Sequence, residues 1–350
     1  MPLKAGFDLA EALDLLSLCS IIEGSSELPQ PPGWTKIFDS PVIPPFTEKW
    51  QLWQNTAGAY AIVIRGTVYD PGSILEDLLA FLALAAGSVT VGPYRIDYKF
   101  AAGSHASVTV GFALGALLIL KDPANGILKQ LAELVPAGSQ IYVAGHSQGA
   151  AVGTLVRSYL EYAADSPRDK NYSYKTYVYA QPKPGNDHYA SDFENSFSNR
   201  GFTFCVNNSL DWVPQVPFTI EIPSDINTPN PLSNLTVMSS TVLTTLSGFG
   251  NEARAFVVDR VRPRLQAKAV ALVGVVRSHG ASGAAEGLAP EILTAHGFDI
   301  PIAPSLNFVN AGSPIALIGT PCSGEQCKDI FFEHHTATYY AMLKAQLAQV

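Results

Sequence analysis

The spacing of apolar positions predicts alternating strands and helices over the first two thirds of the chain. Trp50–Gln54 and Tyr60–Arg65 read as two strands joined by the turn Asn55-Thr56-Ala57-Gly58. Gln140–Ala144, Lys175–Ala180 and Phe202–Val206 are short apolar runs bounded by turn residues, the pattern of buried strands. Helical spacing is read over Phe7–Ile22 and Ile74–Ala86, and again from Gly111. The last run breaks at Lys121-Asp122-Pro123 and resumes over 126–134. A further helix follows at Ala150–Glu161, with Leu155, Val156, Tyr159 and Leu160 on helical spacing. This alternation predicts an α/β fold with a mostly parallel central sheet.

The rhythm changes after about Phe218. Residues 218–311 carry Pro-, Asn- and Ser-rich stretches, then helical segments at Thr241–Leu246, Ala253–Val276 and Glu291–His296. They are expected to form an inserted, mainly helical cap. A strand at Pro314–Ile318 and a last helix at Thr336–Gln349 return to the first pattern. The expected domains are therefore 1–217 with 312–350, and the insertion 218–311.

The chain has 350 residues, 47% of them hydrophobic, which is enough for a large core. Its net charge of −8 provides no basic surface for nucleic acid. Charged residues make up only 15%, a composition suited to exposed apolar surface. The apolar runs Phe81–Gly87 and Val108–Leu120 are too short to span a bilayer. Asp8, Glu11 and Asp14 give Phe7–Ile22 an amphipathic rather than a leader-like character. The compartment stays open between secreted, with a leader removed, and soluble intracellular. Of the four cysteines, Cys19 and Cys205 read as core residues. Cys322 and Cys327 flank a turn-rich loop that admits either a disulfide or two thiols. Their spacing does not suit zinc, and no metal or cofactor is expected.

The most specific signal is Gly145-His146-Ser147-Gln148-Gly149, a G-x-S-x-G pentapeptide between a predicted strand and a predicted helix. Such a turn lifts the serine hydroxyl out of the sheet. It also aims the first helix amides at the place where negative charge develops. A nucleophilic serine needs a base, and the base needs a carboxylate to orient it. Asp211 follows the apolar strand Phe202–Val206, and Trp212-Val213-Pro214 would shield it. Its rivals Asp187 and Asp192 precede that strand. The later histidines are His279, His296, His334 and His335. The first two fall in the insertion; of the others His335, just before the helix-capping Thr336, is preferred and His334 is second. The oxyanion donors would be the N–H of Gln148 and Thr67, the latter through N–H and hydroxyl.

Together these residues resemble the class 3 lipase family, fungal-lipase-like members of the α/β-hydrolase fold. The pieces are Arg65-Gly66-Thr67, Gly111-Phe112, the pentapeptide, Pro182 with Gly185-Asn186, Asp211-x-Val213-Pro214, and His335 followed by Tyr340. The resemblance covers residues 1–217 and 312–350. It implies a Ser147–His335–Asp211 triad acting on carboxylic esters, acylglycerols first among them. Esterase, phospholipase or acyltransferase chemistry on the same triad stays open, as does a non-catalytic binding protein on this fold. It implies further a lid at 69–104, with Asp77 at a commonly acidic position. Ile74, Leu75, Leu78 and Phe81 would face the substrate or a lipid interface in transient contact. Gln148 departs from a position where many members carry leucine, and the 218–311 insertion departs from the simple family pattern. The sequons at Asn171, Asn207 and Asn234 would matter only in a eukaryotic secretory pathway.

Overall fold

A computed structural model describes residues 3–43, 47–66, 82–91, 94–217, 219, 298–299, 302–303, 305, 307–324 and 328–347. In chain order the strands are β1 (Trp34–Asp39), β2 (Trp50–Asn55), β3 (Tyr60–Ile64), β4 (Leu82–Leu84), β5 (Ala86–Val91), β6 (Tyr94–Lys99), β7 (Ser107–Thr109), β8 (Gln140–His146), β9 (Ser173–Tyr179), β10 (Thr203–Asn208), β11 (Phe298–Asp299), β12 (Ile302–Ala303) and β13 (Ser313–Leu317). The helices are α1 (Leu9–Ile22), α2 (Val110–Lys121), α3 (Ile127–Leu134), α4 (Gln148–Tyr162), α5 (Asp187–Ser196) and α6 (Thr336–Leu347).

Seven strands form the central sheet in the order β1-β2-β3-β8-β9-β10-β13. The first two pairings are antiparallel, and the rest, from β3 with β8 to β10 with β13, are parallel. Alternate residues of each strand enter opposite cores, as strand geometry requires. Ile62, Ile64, Ile141 and Val143 meet the side covered by α2, α3 and α4. Ala61, Val63, Tyr142, Ala144, Tyr177 and Val206 meet the side covered by α1 and α6. Sheets covered on both faces carry their chemistry at the carboxyl ends of the strands.

The α1 helix differs from its expected amphipathic character, because its acidic side also faces protein. Asp8 caps the helix by accepting from the N–H groups of Ala10 and Glu11. Tyr142 and Tyr177 donate to Glu11 at 2.8 and 2.6 Å, and the Lys175 ammonium lies 2.6 Å from the same carboxylate. Trp34 donates to Asp14 at 3.0 Å, and burial raises the Asp14 carboxyl above its usual range.

The helix expected at Ile74–Ala86 is corrected over its described part. Leu82–Leu84 pairs with Ser107–Thr109, and Ala86–Val91 forms a hairpin with Tyr94–Lys99. An Ala- and Leu-rich run satisfies either helix or buried strand, and here pairing partners decide. Residues 298–299 and 302–303 add third strands to these two small sheets, so this end of the insertion is extended rather than helical. The strand β1 was not read from sequence at all. The rest of the expected cap, including its three helical segments, lies outside the described residues, as do Ile74, Leu75, Asp77, Leu78 and Phe81. Cys322 is disulfide-bonded, whereas Cys19 and Cys205 are buried free thiols. Cys327 lies outside the described residues. Among the described residues no helix is long and apolar enough to cross a membrane.

Lys175 is 1% exposed, so Glu11 is its necessary counterion. Replacing Glu11 by Ala should destabilise the protein by about 3–5 kcal/mol, because it strands a buried charge. A urea midpoint within error of wild type would contradict this account of how α1 is fastened.

Candidate active site

Ser147 sits where β8 turns into α4, with φ 58° and ψ −132°. A serine rarely adopts a left-handed φ, and the neighbouring contacts impose it. A Cβ on Gly145 would lie 2.0 Å from the Gly149 carbonyl oxygen, and one on Gly149 would lie 2.3 Å from that of Ile64. Both glycines are thus fixed by close backbone approach. The Ser147 N–H donates to the Tyr179 carbonyl at 3.0 Å, which ties the elbow to β9. Gln148 opens α4, so its backbone N–H stands at the positive end of a helix.

His334 is the histidine that meets the serine. Its Nε2 lies 2.9 Å from Ser147 Oγ, and its Nδ1 lies 2.7 Å from Asp211 Oδ2. With Nδ1–H donating to the carboxylate, Nε2 is left to accept the serine proton. All three side chains are buried. The preference for His335 is therefore corrected: its Nε2 lies 2.6 Å from Asp329 Oδ2 at the surface, and the hydrogen bond holds the Asp329 carboxyl below its usual range. The reason is local geometry. His334 ends a 3-10 turn (Phe332–His334) with its N–H donating to Phe331 O, so its ring is directed under the strand ends. The next residue has extended φ and ψ and turns its ring outward.

Asp211 follows β10 as expected. Its Oδ1 accepts from the Val213 N–H at 2.9 Å, and its Oδ2 accepts from the Tyr339 hydroxyl at 2.8 Å as well as from His334. Tyr339 in turn accepts from the Asn208 N–H at 3.0 Å. Tyr339 was missed by sequence reasoning, which set Tyr340 beside His335. Both positions are doublets, so the histidine-to-tyrosine spacing is the same in either register. Trp212 donates to the Ile330 carbonyl and stacks near Phe331, 5.4 Å between centroids, beside the acid. The rival Asp192 is engaged elsewhere, accepting from Ala102 N, Gly103 N and the Tyr162 hydroxyl. Asp187 opens α5.

Other members of the site carried no sequence signal beyond the pentapeptide. Gln148 Nε2 donates to the buried Glu48 at 3.1 Å, and Glu48 itself lies against Gly115 on α2. His146 is flanked by Glu23 and the His334 backbone. Thr67, the second expected oxyanion donor, lies outside the described residues. Burial lowers the His334 imidazole below its ordinary value; Asp211 opposes that shift and His146 adds to it.

The sheet order, the strained elbow and the residues gathered around it define the α/β-hydrolase class. Residues 61–221 match the family model of lipase (class 3). A secreted mono- and diacylglycerol lipase of Malassezia globosa is 29% identical over 175 residues, 49% of this chain and 51% of that protein. The chain thus spans about half the length of the curated relative it matches. Among solved structures, Rhizomucor miehei triacylglyceride lipase is 18% identical, covering 61% of this chain and 77% of that one, with a TM-score of 0.42. Lip2 lipase from Yarrowia lipolytica is 16% identical over 62% and 77% of the two chains, with a TM-score of 0.44.

The two adjacent histidines can be separated by the reactivity of Ser147 itself. His334→Ala should slow fluorophosphonate labelling of Ser147 by roughly 10³-fold or more, whereas His335→Ala should label at close to the wild-type rate. The opposite ranking, read by mass spectrometry of the labelled peptide, would return the base to His335.

Proposed function

We propose that this chain is a serine carboxylic-ester hydrolase, a lipase acting on acylglycerols, with Ser147 as nucleophile, His334 as base and Asp211 as the orienting acid. The observation that carries the reading is the unbroken hydrogen-bonded path from Ser147 Oγ through His334 to Asp211 on a strained elbow. The class 3 lipase match supports it, and the Malassezia relative makes mono- and diacylglycerols the first substrates to test.

The chemistry follows from the atoms in place. His334 Nε2 takes the Ser147 proton as Oγ attacks the ester carbonyl, and Asp211 holds the imidazolium that results. The carbonyl oxygen gains negative charge, which the Gln148 N–H and Thr67 would stabilise. Nε2–H then protonates the departing alcohol. Water, deprotonated by the same nitrogen, releases the fatty acid from the acyl-enzyme. The Tyr339 hydroxyl and Val213 N–H hold the Asp211 carboxylate in orientation. The 69–104 segment as lid and the 218–311 insertion as cap belong to the same proposal, and they would govern which esters reach Ser147.

Ser147→Ala should abolish fatty-acid release from a dispersion of diacylglycerol while leaving the melting temperature close to wild type. Retained turnover would overturn the assignment. A panel of mono-, di- and triacylglycerols, phospholipids and soluble esters, with and without a competing alcohol, identifies esterase, phospholipase or acyltransferase action if acylglycerols are poor substrates. The base must be neutral, and the His334 imidazole is lowered from 6.5. The acid limb of kcat/KM should therefore lie below that value, with activity lost as pH falls through it. A limb at or above 6.5 would contradict the burial of the base.

A further inference from the structure

The residue before the nucleophile is placed between two acceptors. His146 Nδ1 lies 2.9 Å from Glu23 Oε1, and His146 Nε2 lies 2.8 Å from the carbonyl oxygen of His334. A carbonyl oxygen only accepts, so Nε2 must carry a proton. An ionised carboxylate also only accepts, so Nδ1 must carry one too. The His146 side chain is 1% exposed and Glu23 is 10% exposed, which leaves little water to compete for either nitrogen. Gly66, just after β3, closes the cluster, since a Cβ there would lie 2.9 Å from Glu23 Oε1 and 2.9 Å from the His146 carbonyl oxygen.

We propose that His146 is a permanently charged imidazolium, paired with Glu23, that positions the base: its Nε2–H holds the His334 backbone while its charge resists protonation of the His334 ring. This rests on the hydrolase reading and adds to it a residue that the triad does not contain. The ring centroids of His146 and His334 are 4.6 Å apart, close enough for a charge on one to bear on the other. Other titratable groups around His146 are Tyr339 on α6, whose ring centroid is 6.0 Å away, and Asp211 after β10, whose charge favours the cation. Cys19 on α1 and Arg65 after β3 both sense Glu23, and the Cys19 thiol is pushed up by burial and by that carboxylate. Burial alone would lower the His146 imidazole. Glu23, by charge and hydrogen bond, outweighs it and raises the imidazole above its ordinary value. The two adjacent imidazoles are thereby driven in opposite directions, His146 towards the charged form and His334 towards the neutral one.

The consequence is functional rather than merely architectural. A fixed positive charge beside the base keeps Nε2 of His334 available at a lower pH than burial alone would allow. The carboxylate of Asp211, 2.7 Å from Nδ1 of the same ring, opposes that effect. His146→Gln offers a neutral amide N–H towards the His334 carbonyl but no charge. It should move the acid limb of kcat/KM to higher pH by about one unit, with KM little changed. A residue that only filled space would not move that limb.

The deciding measurement uses the wild-type protein labelled with ¹⁵N-histidine, the His146 resonances being assigned through their contacts to Tyr339. Both ring nitrogens of His146 should remain protonated at pH 7.5, where the His334 ring carries one proton. A single protonated nitrogen on His146 at that pH overturns the proposal, as does an unmoved acid limb in a folded His146→Gln variant. Should that variant not fold, the wild-type spectrum decides alone. Fluorophosphonate labelling of Ser147 in the same sample separates the two readings. Labelled serine with a singly protonated His146 sinks only the positioning role, and unlabelled serine sinks the hydrolase.

Discussion

The site depends on one close approach, the crossing of β8 and α4 at the Ser147 elbow. With 2.0 Å between a hypothetical Gly145 Cβ and the Gly149 oxygen, the turn tolerates no side chain at either glycine. The left-handed φ of Ser147 follows from that crowding, and from the φ follows the position of Oγ above the sheet. Strain of this kind persists only where surrounding structure over-determines it. Here β3 lies against Gly149 and β9 accepts from the Ser147 N–H, so the two strands flanking β8 hold the turn from both sides.

Around the elbow, charge is arranged in depth. Asp211 meets His334, Tyr339 meets Asp211, and Asn208 meets Tyr339, each step hydrogen-bonded and buried. Burial strengthens such a network only when every member is satisfied. Glu11 on α1 does similar work away from the site, where two tyrosines and Lys175 converge on one carboxylate. Some of the chain's few charges are therefore inside, in pairs, rather than on the surface.

The central sheet from β2 onward was legible in the sequence because its strands are short apolar runs between clear turn signals. Ser147 and Asp211 were legible because glycine spacing and strand-end position constrain them. The base was not, since His334-His335 and Tyr339-Tyr340 are both doublets and only the 3-10 turn selects a register. Residues 82–86 read as helix because composition favours neither state, and Ser107–Thr109 and Tyr94–Lys99 supply the deciding partners from elsewhere in the chain. Glu23 escaped notice for a different reason. It lies at the end of α1, far in sequence from the elbow, and nothing local marks it.

The path from Ser147 to His334 spans 187 residues of sequence. During translation, at roughly 5–20 residues per second, the elbow leaves the ribosome about 10–40 s before the histidine proposed to activate it. For all that time the nascent chain carries a serine with no proton acceptor. Any product cut short before His334 is inert in the same way. For the proposed hydrolase, made where membranes of glycerol esters lie close by, the order of residues along the chain would itself be a safeguard.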